Sequence, residues 1–275
     1  MNVYQTIFRK NSLLLHPLFL IFLAMKKMMI IVPDIHGRNF WRTVRSCEED
    51  IVFLGDYLDP YNSEGVTRER AICNFREILL FAKSRPGISL LLGNHDLSYV
   101  KGDVYCRCRT DYENYDYIRS LFHRSITLFN IAKECEVNGQ HFLFSHAGIT
   151  PGWHSQHTEI FPASYEETLR EELLNSLYHE GKMDAILHEI SRYRGGSSQH
   201  GSIVWADVRE FVDQADEMPD CHTTQIVGHT QCANRPANLM PTLPVCDVDT
   251  RQCYYLDEEG ILRYLSNDEV VIPSL

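Results

Sequence analysis

The chain has 275 residues, of which 44% are hydrophobic, so it can bury a sizeable core within one large domain. Its formal net charge of −11 argues against a protein whose main task is to hold nucleic acid, because that task needs a basic surface. The acidic balance does not exclude a phosphorylated substrate, since bound divalent cations reverse the local field where carboxylates cluster. We therefore expect no stable nucleic acid complex.

Residues 1–24 differ in composition from the rest of the chain. Arg9 and Lys10 precede an apolar run at 13–23 that has the shape of a signal-peptide core but is short of the roughly 20 residues that span a bilayer. Met25-Lys26-Lys27 then resembles a natural start directly before the first predicted strand. We predict a disordered leader or a mis-assigned start, with export or anchoring through 1–24 as the alternative.

The nine cysteines are odd in number and scattered, and no Cys-x-x-Cys pair occurs. The closest pair is Cys106-Arg107-Cys108, which leaves a zinc knuckle as an alternative. Scattered thiols are typical of reduced proteins of the cytosol. We therefore expect a cytoplasmic location and no membrane association.

The first half of the predicted domain alternates strands with helices. Apolar runs predict strands, and apolar residues at helical spacing among charges predict helices. In chain order the predicted elements are a strand at 29–32, a helix at 38–47, a strand at 51–54, a long helix at 66–84 and a strand at 88–92. This order implies a parallel sheet that is covered by helices.

The rest of the chain predicts a single domain over 25–275 with an insertion at about 97–135. The insertion is rich in Tyr, Arg and Asp, and we expect it to form a lid or substrate wall, with a packing subdomain as the alternative. Residues 164–191 have a helical pattern with acidic faces. Short strands follow, with a hairpin turn at 257–260; they are predicted at 244–248, 252–257 and 261–265.

Five apolar segments end in a glycine beside Asp, His or Asn. These ends are Asp34-Ile35-His36-Gly37, Gly55-Asp56, Gly93-Asn94-His95-Asp96, Ser145-His146-Ala147-Gly148 and Gly228-His229. In open α/β sheets the ligand crevice lies at the carboxyl ends of the strands. A single Gly-His after a strand is usually a turn, but five such ends in one chain argue against ordinary loop residues.

The side chains at these ends suit metal ions. Carboxylate and amide oxygens mixed with imidazoles favour manganese, iron or zinc, and the lack of cysteine argues against a closed structural zinc site. If one carboxylate is shared, the set can hold two ions, which is the arrangement used for in-line phosphoryl displacement by a metal-bound hydroxide. The candidate ligands are Asp34, His36, Asp56, Asn94, His146 and His229.

As an ordered set, these motifs resemble those of the calcineurin-like metallophosphoesterases, over residues 29–230. Two details resemble the phosphoprotein phosphatase branch, which includes the bacterial symmetrical diadenosine tetraphosphate hydrolases. Asp59 follows Gly55-Asp56 at the spacing of that branch, and Gln231 stands where many other branches place a further metal-binding histidine. The implied fold is of the α/β (α+β) class, a four-layer αββα sandwich of two mixed β-sheets flanked by helices.

The resemblance also implies a role for each site residue. Asp56 would bridge two divalent transition-metal ions. His95 would protonate the leaving group with Asp59 paired to its other ring nitrogen, and Asn94 would also touch the phosphate. The implied ligands are Asp34, His36 and Asp56 for the first ion, and Asp56, Asn94, His146 and His229 for the second.

The chain departs from the branch after Asp59. The branch continues with Arg-Gly, and that arginine grips the substrate phosphate, whereas here Pro60-Tyr61 follow. Arg209 and Arg194 are the candidates to replace it, and both could equally be solvated surface residues.

The sequence leaves three functions open. The first is a dinuclear phosphomonoesterase or serine/threonine-type protein phosphatase. The second is a diadenosine tetraphosphate-type pyrophosphohydrolase, which the run from His146 to Pro151 supports. The third is a catalytically silent binding module, against which the intact ligand set and His95 argue. The expected partner is a phosphorylated small molecule, nucleotide or phosphoprotein.

Overall fold

The fold is built on two β-sheets, seen in a computed structural model that describes residues 27–102, 108–232, 235–239 and 242–272. The predicted leader at 1–24 and Cys106 lie outside these residues. The strands are β1 (Lys27–Val32), β2 (Asp50–Phe53), β3 (Ile88–Leu91), β4 (Phe129–Asn130), β5 (Ala132–Val137), β6 (Gln140–Ser145), β7 (Thr223–Val227), β8 (Ala237–Asn238), β9 (Val245–Asp247), β10 (Tyr254–Asp257), β11 (Leu262–Tyr264) and β12 (Val270–Ile272).

Both sheets are mixed. The first has seven strands in the order β12-β11-β10-β1-β2-β3-β4, in which β1 to β4 are parallel and β10 to β12 antiparallel. The second has five strands in the order β5-β6-β7-β9-β8, with a parallel centre and antiparallel edges. The predicted parallel pairing of the first three strands is therefore confirmed, as is the hairpin between β10 and β11.

The described residues also form seven α-helices, α1 (Arg68–Ser84), α2 (Asn94–Lys101), α3 (Tyr115–Arg124), α4 (Pro151–Gln156), α5 (Tyr165–Thr168), α6 (Glu171–His179) and α7 (Val208–Asp213). α1 confirms the predicted long helix. It begins after Thr67, whose side chain accepts the backbone N–H of Arg70, and it buries one apolar face.

Two helix predictions were wrong in extent. The segment predicted as a helix at 38–47 forms a 3₁₀-helix over Phe40–Val44. The segment 164–191 is divided into α5 and α6, because Arg170 between them is extended, with φ −115° and ψ 130°. After α6, Gly181 has a left-handed backbone with φ +73°, a conformation that commonly ends helices.

Alternate residues of each strand enter different apolar layers. Ile31 and Val52 cluster with Phe144 and Ile226 of the other sheet, so the two sheets pack face to face. On the outer face of the first sheet, the ring of Phe53 lies 5.9 Å from that of Trp41. Helices cover the outer faces of both sheets, which gives the four-layer sandwich that the resemblance implied.

The predicted insertion at 97–135 begins inside α2, continues through α3 and runs into β4 and β5. Its last residues therefore contribute a strand to each sheet. The second sheet is anchored to α6 by Asn175, whose Oδ1 accepts the backbone N–H of Ala132 at 3.1 Å. Within the described residues, no helix has both the length and the apolar character that a membrane span requires.

Candidate metal centre

The predicted ligands converge where β1, β2, β3, β6 and β7 end. With His95 they are at most 6% exposed, although all seven side chains are polar or charged; they are Asp34, His36, Asp56, Asn94, His95, His146 and His229. Many of them line a cavity of about 290 Å³, together with Tyr61, Arg109, Tyr193, Arg194 and Trp205. Buried polar groups are costly unless they are paired or bind a ligand, so this cluster is the candidate functional site.

Backbone carbonyls orient two of the histidines. Nδ1 of His36 lies 3.0 Å from the carbonyl oxygen of Leu58, and Nδ1 of His146 lies 2.8 Å from that of Leu54. A carbonyl oxygen only accepts, so each Nδ1 carries the proton and each Nε2 presents a lone pair. The two Nε2 atoms lie 3.4 Å and 3.7 Å from Oδ2 of Asp56.

A contact between two acceptors shows that this geometry fits a cation. Nε2 of His146 lies 3.0 Å from Oδ1 of Asn94, and neither atom carries a proton to share. The amide of Asn94 is held in this orientation because its nitrogen donates to Sγ of Cys108 at 3.3 Å. Nδ1 of His229 lies 3.1 Å from Nε2 of His146. A divalent ion between these atoms would turn a repulsive contact into coordination.

Asp56 belongs to both groups of side chains that could hold a metal ion. One group is His36, Asp56 and His95, the other is Asp56, His146 and His229, and in each the ligand atoms lie within 4.8 Å of one another. The first group differs from the predicted set because it contains His95 in place of Asp34. Oδ2 of Asp34 lies 4.0 Å from Nε2 of His36, farther than Oδ2 of Asp56, which lies 3.4 Å from the same nitrogen.

The electrostatics of the cluster favour metal binding. Burial by itself raises the pKa of Asp56, but the neighbouring histidines outweigh it and lower this pKa to about 2. Burial, together with the charge of Asp56, raises the pKa of Asp34 well above its ordinary value. Burial also lowers the pKa values of His36 and His229 well below theirs. The neutral imidazoles and the ionised Asp56 are in the protonation states that bind metals, whereas Asp34 has to release its proton when a cation binds.

The backbone of the site is strained. His36, Asp56, Asp59 and His229 have φ angles of +43°, +52°, +57° and +74°. Left-handed backbone is uncommon outside glycine and persists where the surrounding structure holds it. Asp96 supplies part of this restraint, because its Oδ2 accepts the backbone N–H groups of Asp56 and Gly93, both at 2.8 Å.

The glycines of two motifs keep space for the carboxylates. A Cβ atom on Gly93 would lie 2.2 Å from Oδ1 of Asp56, and one on Gly228 would lie 2.3 Å from Oδ1 of Asp34. Any side chain at these positions would displace a candidate ligand. The strand-end glycines are therefore part of the site.

His95 and Asp59 form a pair beside the ligands. Nδ1 of His95 lies 2.7 Å from Oδ2 of Asp59, and the hydroxyl of Tyr99 donates to Oδ1 of Asp59 at 2.5 Å. The backbone N–H of His95 donates to Oδ1 of Asp56 at 3.0 Å. The imidazole of His95 is thus fixed next to Asp56. Its Nδ1 is paired with Asp59, and its Nε2 makes no contact with Asp59.

The two predicted phosphate-binding arginines lie in different places. Arg194 lines the cavity and donates from Nη2 to the carbonyl oxygen of His229 at 3.1 Å. Arg209 is not among the residues that line the cavity. It pairs with Asp207 at 2.7 Å, and its side chain is 55% exposed.

Sequence reasoning missed Arg109, Tyr61 and Trp205, which line the same cavity. Arg109 and Tyr61 belong to no recognised motif. Trp205 opens the segment 205–209, which resembles a tryptophan-containing segment of the branch, but no role was assigned to it. The one signal for Arg109 was its position in the segment 97–135, which we predicted to form a substrate wall. Tyr61 was noted only because it follows Pro60 in place of the usual Arg-Gly.

Two solved structures show a distant similarity to this chain. A yeast structure, a protein serine/threonine phosphatase from Saccharomyces cerevisiae, is 12% identical with a TM-score of 0.49, covering 91% of this chain and 80% of that one. A protein of unknown function from Aquifex aeolicus is also 12% identical, with a TM-score of 0.24 over 76% of this chain and 81% of that one. No curated protein sequence matches.

A family model, described as calcineurin-like phosphoesterase, matches residues 29–232. This range covers most of the 275 residues and includes all five strand-end motifs. The chain belongs to the calcineurin-like phosphoesterase family.

Proposed function

We propose that this family member is a dinuclear metal-dependent hydrolase of phosphate esters, a phosphomonoesterase or serine/threonine-type protein phosphatase of the phosphoprotein phosphatase branch. The observation that carries the proposal is the position of Asp56, which belongs to both side-chain groups that could hold a metal ion and accepts the backbone N–H of His95. Two-metal sites of this kind are suited to in-line displacement at phosphorus.

The proposed ligands are Asp34, His36 and Asp56 for one ion, and Asp56, Asn94, His146 and His229 for the other. Mixed oxygen and imidazole donors favour manganese, iron or zinc. When bound, the two ions would lower the pKa of the attacking water and neutralise the phosphate oxygens. Asp34 is included because the backbone N–H of His229 donates to its Oδ1 at 3.1 Å, which leaves Oδ2 directed toward His36.

His95 is the proposed general acid. Its Nδ1–H donates to Asp59, so Nε2 is the atom that delivers a proton to the departing alcohol. Tyr99 holds Asp59 in place, and the carboxylate stabilises the imidazolium before transfer. Asn94 and Arg194 are the proposed phosphate contacts from the predicted set. The partner is a phosphorylated small molecule or phosphoprotein, and the scattered thiols support a cytoplasmic location.

A substrate panel tests the proposal. The purified full chain is assayed with aryl phosphate monoesters, phosphodiesters, phosphopeptides and dinucleoside polyphosphates, with and without manganese. Manganese-dependent hydrolysis of monoesters or phosphopeptides supports the proposal. Preference for dinucleoside polyphosphates would instead support the pyrophosphohydrolase that the run from His146 to Pro151 suggests. Metal binding without hydrolysis of any substrate would support the silent binding module.

A further inference from the structure

The guanidinium of Arg109 lies over the ring of Tyr61 at the wall of the cavity. Its Cζ is 3.6 Å from the centroid of the Tyr61 ring, and both side chains line the cavity that contains His36 and His95. Stacking of this kind holds a guanidinium in a defined plane. Tyr61 directly follows Pro60, the position at which the resembled branch carries its phosphate-gripping arginine.

The guanidinium is also tied to the loop that holds the acid pair. Nε and Nη2 of Arg109 donate to the carbonyl oxygen of Asp59 at 3.2 Å and 3.0 Å. Nη2 lies 3.4 Å from Nδ1 of His36, but that nitrogen already donates to Leu58 and so accepts nothing. Apart from a hydrogen bond to the hydroxyl of Tyr61, the remaining N–H groups of Arg109 have no acceptor among the described residues.

Arg109 also differs from the neighbouring arginines in that no carboxylate in the described part of the chain neutralises its charge. Arg38 pairs with Glu64, and Arg194 lies 3.4 Å from a carboxylate oxygen of Asp207. Among the described residues, no carboxylate forms an ion pair with Arg109. A guanidinium that keeps its charge and has donors to spare, at the wall of a cavity, is suited to bind an anion.

We propose that Arg109, held over the ring of Tyr61, is the phosphate anchor of this site and takes the place of the arginine absent at Pro60. The inference rests on the proposed function and names the substrate class. Arg109 and Arg194 line one cavity, so a phosphate monoester dianion meets two guanidinium groups there. A phosphodiester carries one charge fewer, and we expect the site to favour monoesters for this reason.

Binding of inorganic phosphate to the manganese-loaded full chain provides the first test, because it does not require turnover. By titration calorimetry, we expect Arg109→Ala to weaken phosphate binding about 10- to 100-fold, the range for losing hydrogen bonds to a charged group. Arg109→Lys keeps the charge but loses the planar fork, so it should be intermediate. Arg192→Ala, which removes an exposed arginine that does not line the cavity, is the matched control and should bind as wild type.

Tyr61 is tested as a positioning residue. Tyr61→Phe keeps the ring on which Arg109 stacks, and we expect phosphate binding close to that of wild type. Tyr61→Ala removes the ring and should weaken binding several-fold. Manganese content and melting temperature should stay close to wild type in the Arg109 variants, because Arg109 is not a ligand and is exposed.

Steady-state kinetics then separate the anchor from the proposed function. With 4-nitrophenyl phosphate and bis(4-nitrophenyl) phosphate, Arg109→Ala should reduce kcat/KM for the monoester more than for the diester. Equal phosphate affinity in wild type and Arg109→Ala, or an equal loss for both esters, would overturn the anchor while leaving the proposed function in place. If wild type binds phosphate through Arg109 but hydrolyses neither ester, the anchor stands and the proposed function fails. Absence of phosphate binding by wild type would overturn the anchor.

Discussion

Nδ1 of His95 lies 2.7 Å from Oδ2 of Asp59, and both side chains are buried. The other carboxylate oxygen of Asp59 accepts from Tyr99, so the carboxylate is held from two sides. Asp59 reaches this position from a left-handed backbone with φ +57°. An imidazole held in this way has a defined tautomer, and its Nε2 is the atom that can exchange a proton with a substrate.

The first prediction concerns His95. A general acid matters most when the leaving alcohol is poor, because a good leaving group departs without a proton, and the effect is typically worth about 10²–10⁴ in rate. We expect His95→Asn to lose much more activity on alkyl or phosphoserine-like esters than on nitrophenyl phosphate. The measurement is log rate against leaving-group pKa. An equal drop across all leaving groups, or loss of metal, would place His95 in ligand support instead.

Asp59→Asn should show the same selectivity in a milder form. The substitution removes the carboxylate that orients the imidazole and stabilises its cation, but it leaves the proton carrier in place. Tyr99→Phe is the comparison, since it removes the hydrogen bond to Asp59 and the one from the backbone N–H of Asp111 but leaves the His95 contact. We expect the steepness of the leaving-group plot to fall in the order Asp59→Asn, Tyr99→Phe, wild type. If the slope of log rate against leaving-group pKa in Asp59→Asn equals that of wild type, the pairing of Asp59 with His95 is contradicted.

The third prediction concerns the shared carboxylate. Chelation should abolish activity, and Asp56→Asn should lose bound metal, because Asp56 is the residue common to both candidate groups. Metal content per chain is measured by elemental analysis after desalting. Asp116→Asn, at an exposed position of α3, is the control and should keep the metal content of wild type. Two tightly bound ions in Asp56→Asn would refute the bridging role.

A glycine substitution tests the space around Asp56. Gly93→Ala places a Cβ 2.2 Å from Oδ1 of Asp56, so we expect weaker metal binding and a lower melting temperature. Gly139→Ala is the comparison, because Gly139 has φ +76° with no atom near its Cβ. It should lower stability by about 1 kcal/mol through backbone strain alone. If metal affinity falls equally in both variants, the clash between the new Cβ and Asp56 is not the cause of the loss.

The final prediction compares the two arginines that the sequence proposed as phosphate contacts. Arg194 lines the cavity, whereas Arg209 pairs with Asp207 and stacks 4.6 Å from the Tyr193 ring centroid. Arg194→Ala should therefore raise KM for aryl phosphates several-fold more than Arg209→Ala does. Initial rates over a range of substrate concentrations provide the comparison. A larger effect of Arg209→Ala would mean that Arg209 moves to the phosphate when substrate binds.

The strand ends could be predicted from the sequence because their signals are local. An apolar run that stops at a glycine beside Asp, His or Asn determines both a buried strand and the polar residues released at its end. Parallel strands of one sheet deliver such residues to one edge of that sheet. Asp34 and His229 are 195 residues apart and follow strands of different sheets, so they meet because the two sheets pack face to face. The helix α1 was predictable for the same reason, since its apolar periodicity and its cap at Thr67 lie within the segment.

The tertiary structure alone decided which arginines reach the cavity and how the backbone bends there. Arg109 is 50 residues from Asp59 in sequence, and the carbonyl that holds it carries no signal in the amino-acid order. The left-handed φ angles of His36, Asp56 and His229 are disfavoured by local backbone preference, and long-range contacts hold them. The break between α5 and α6 likewise coincides with tertiary contacts, because Arg170 and the backbone N–H of Glu171 both bind the carboxylate of Glu134 in β5.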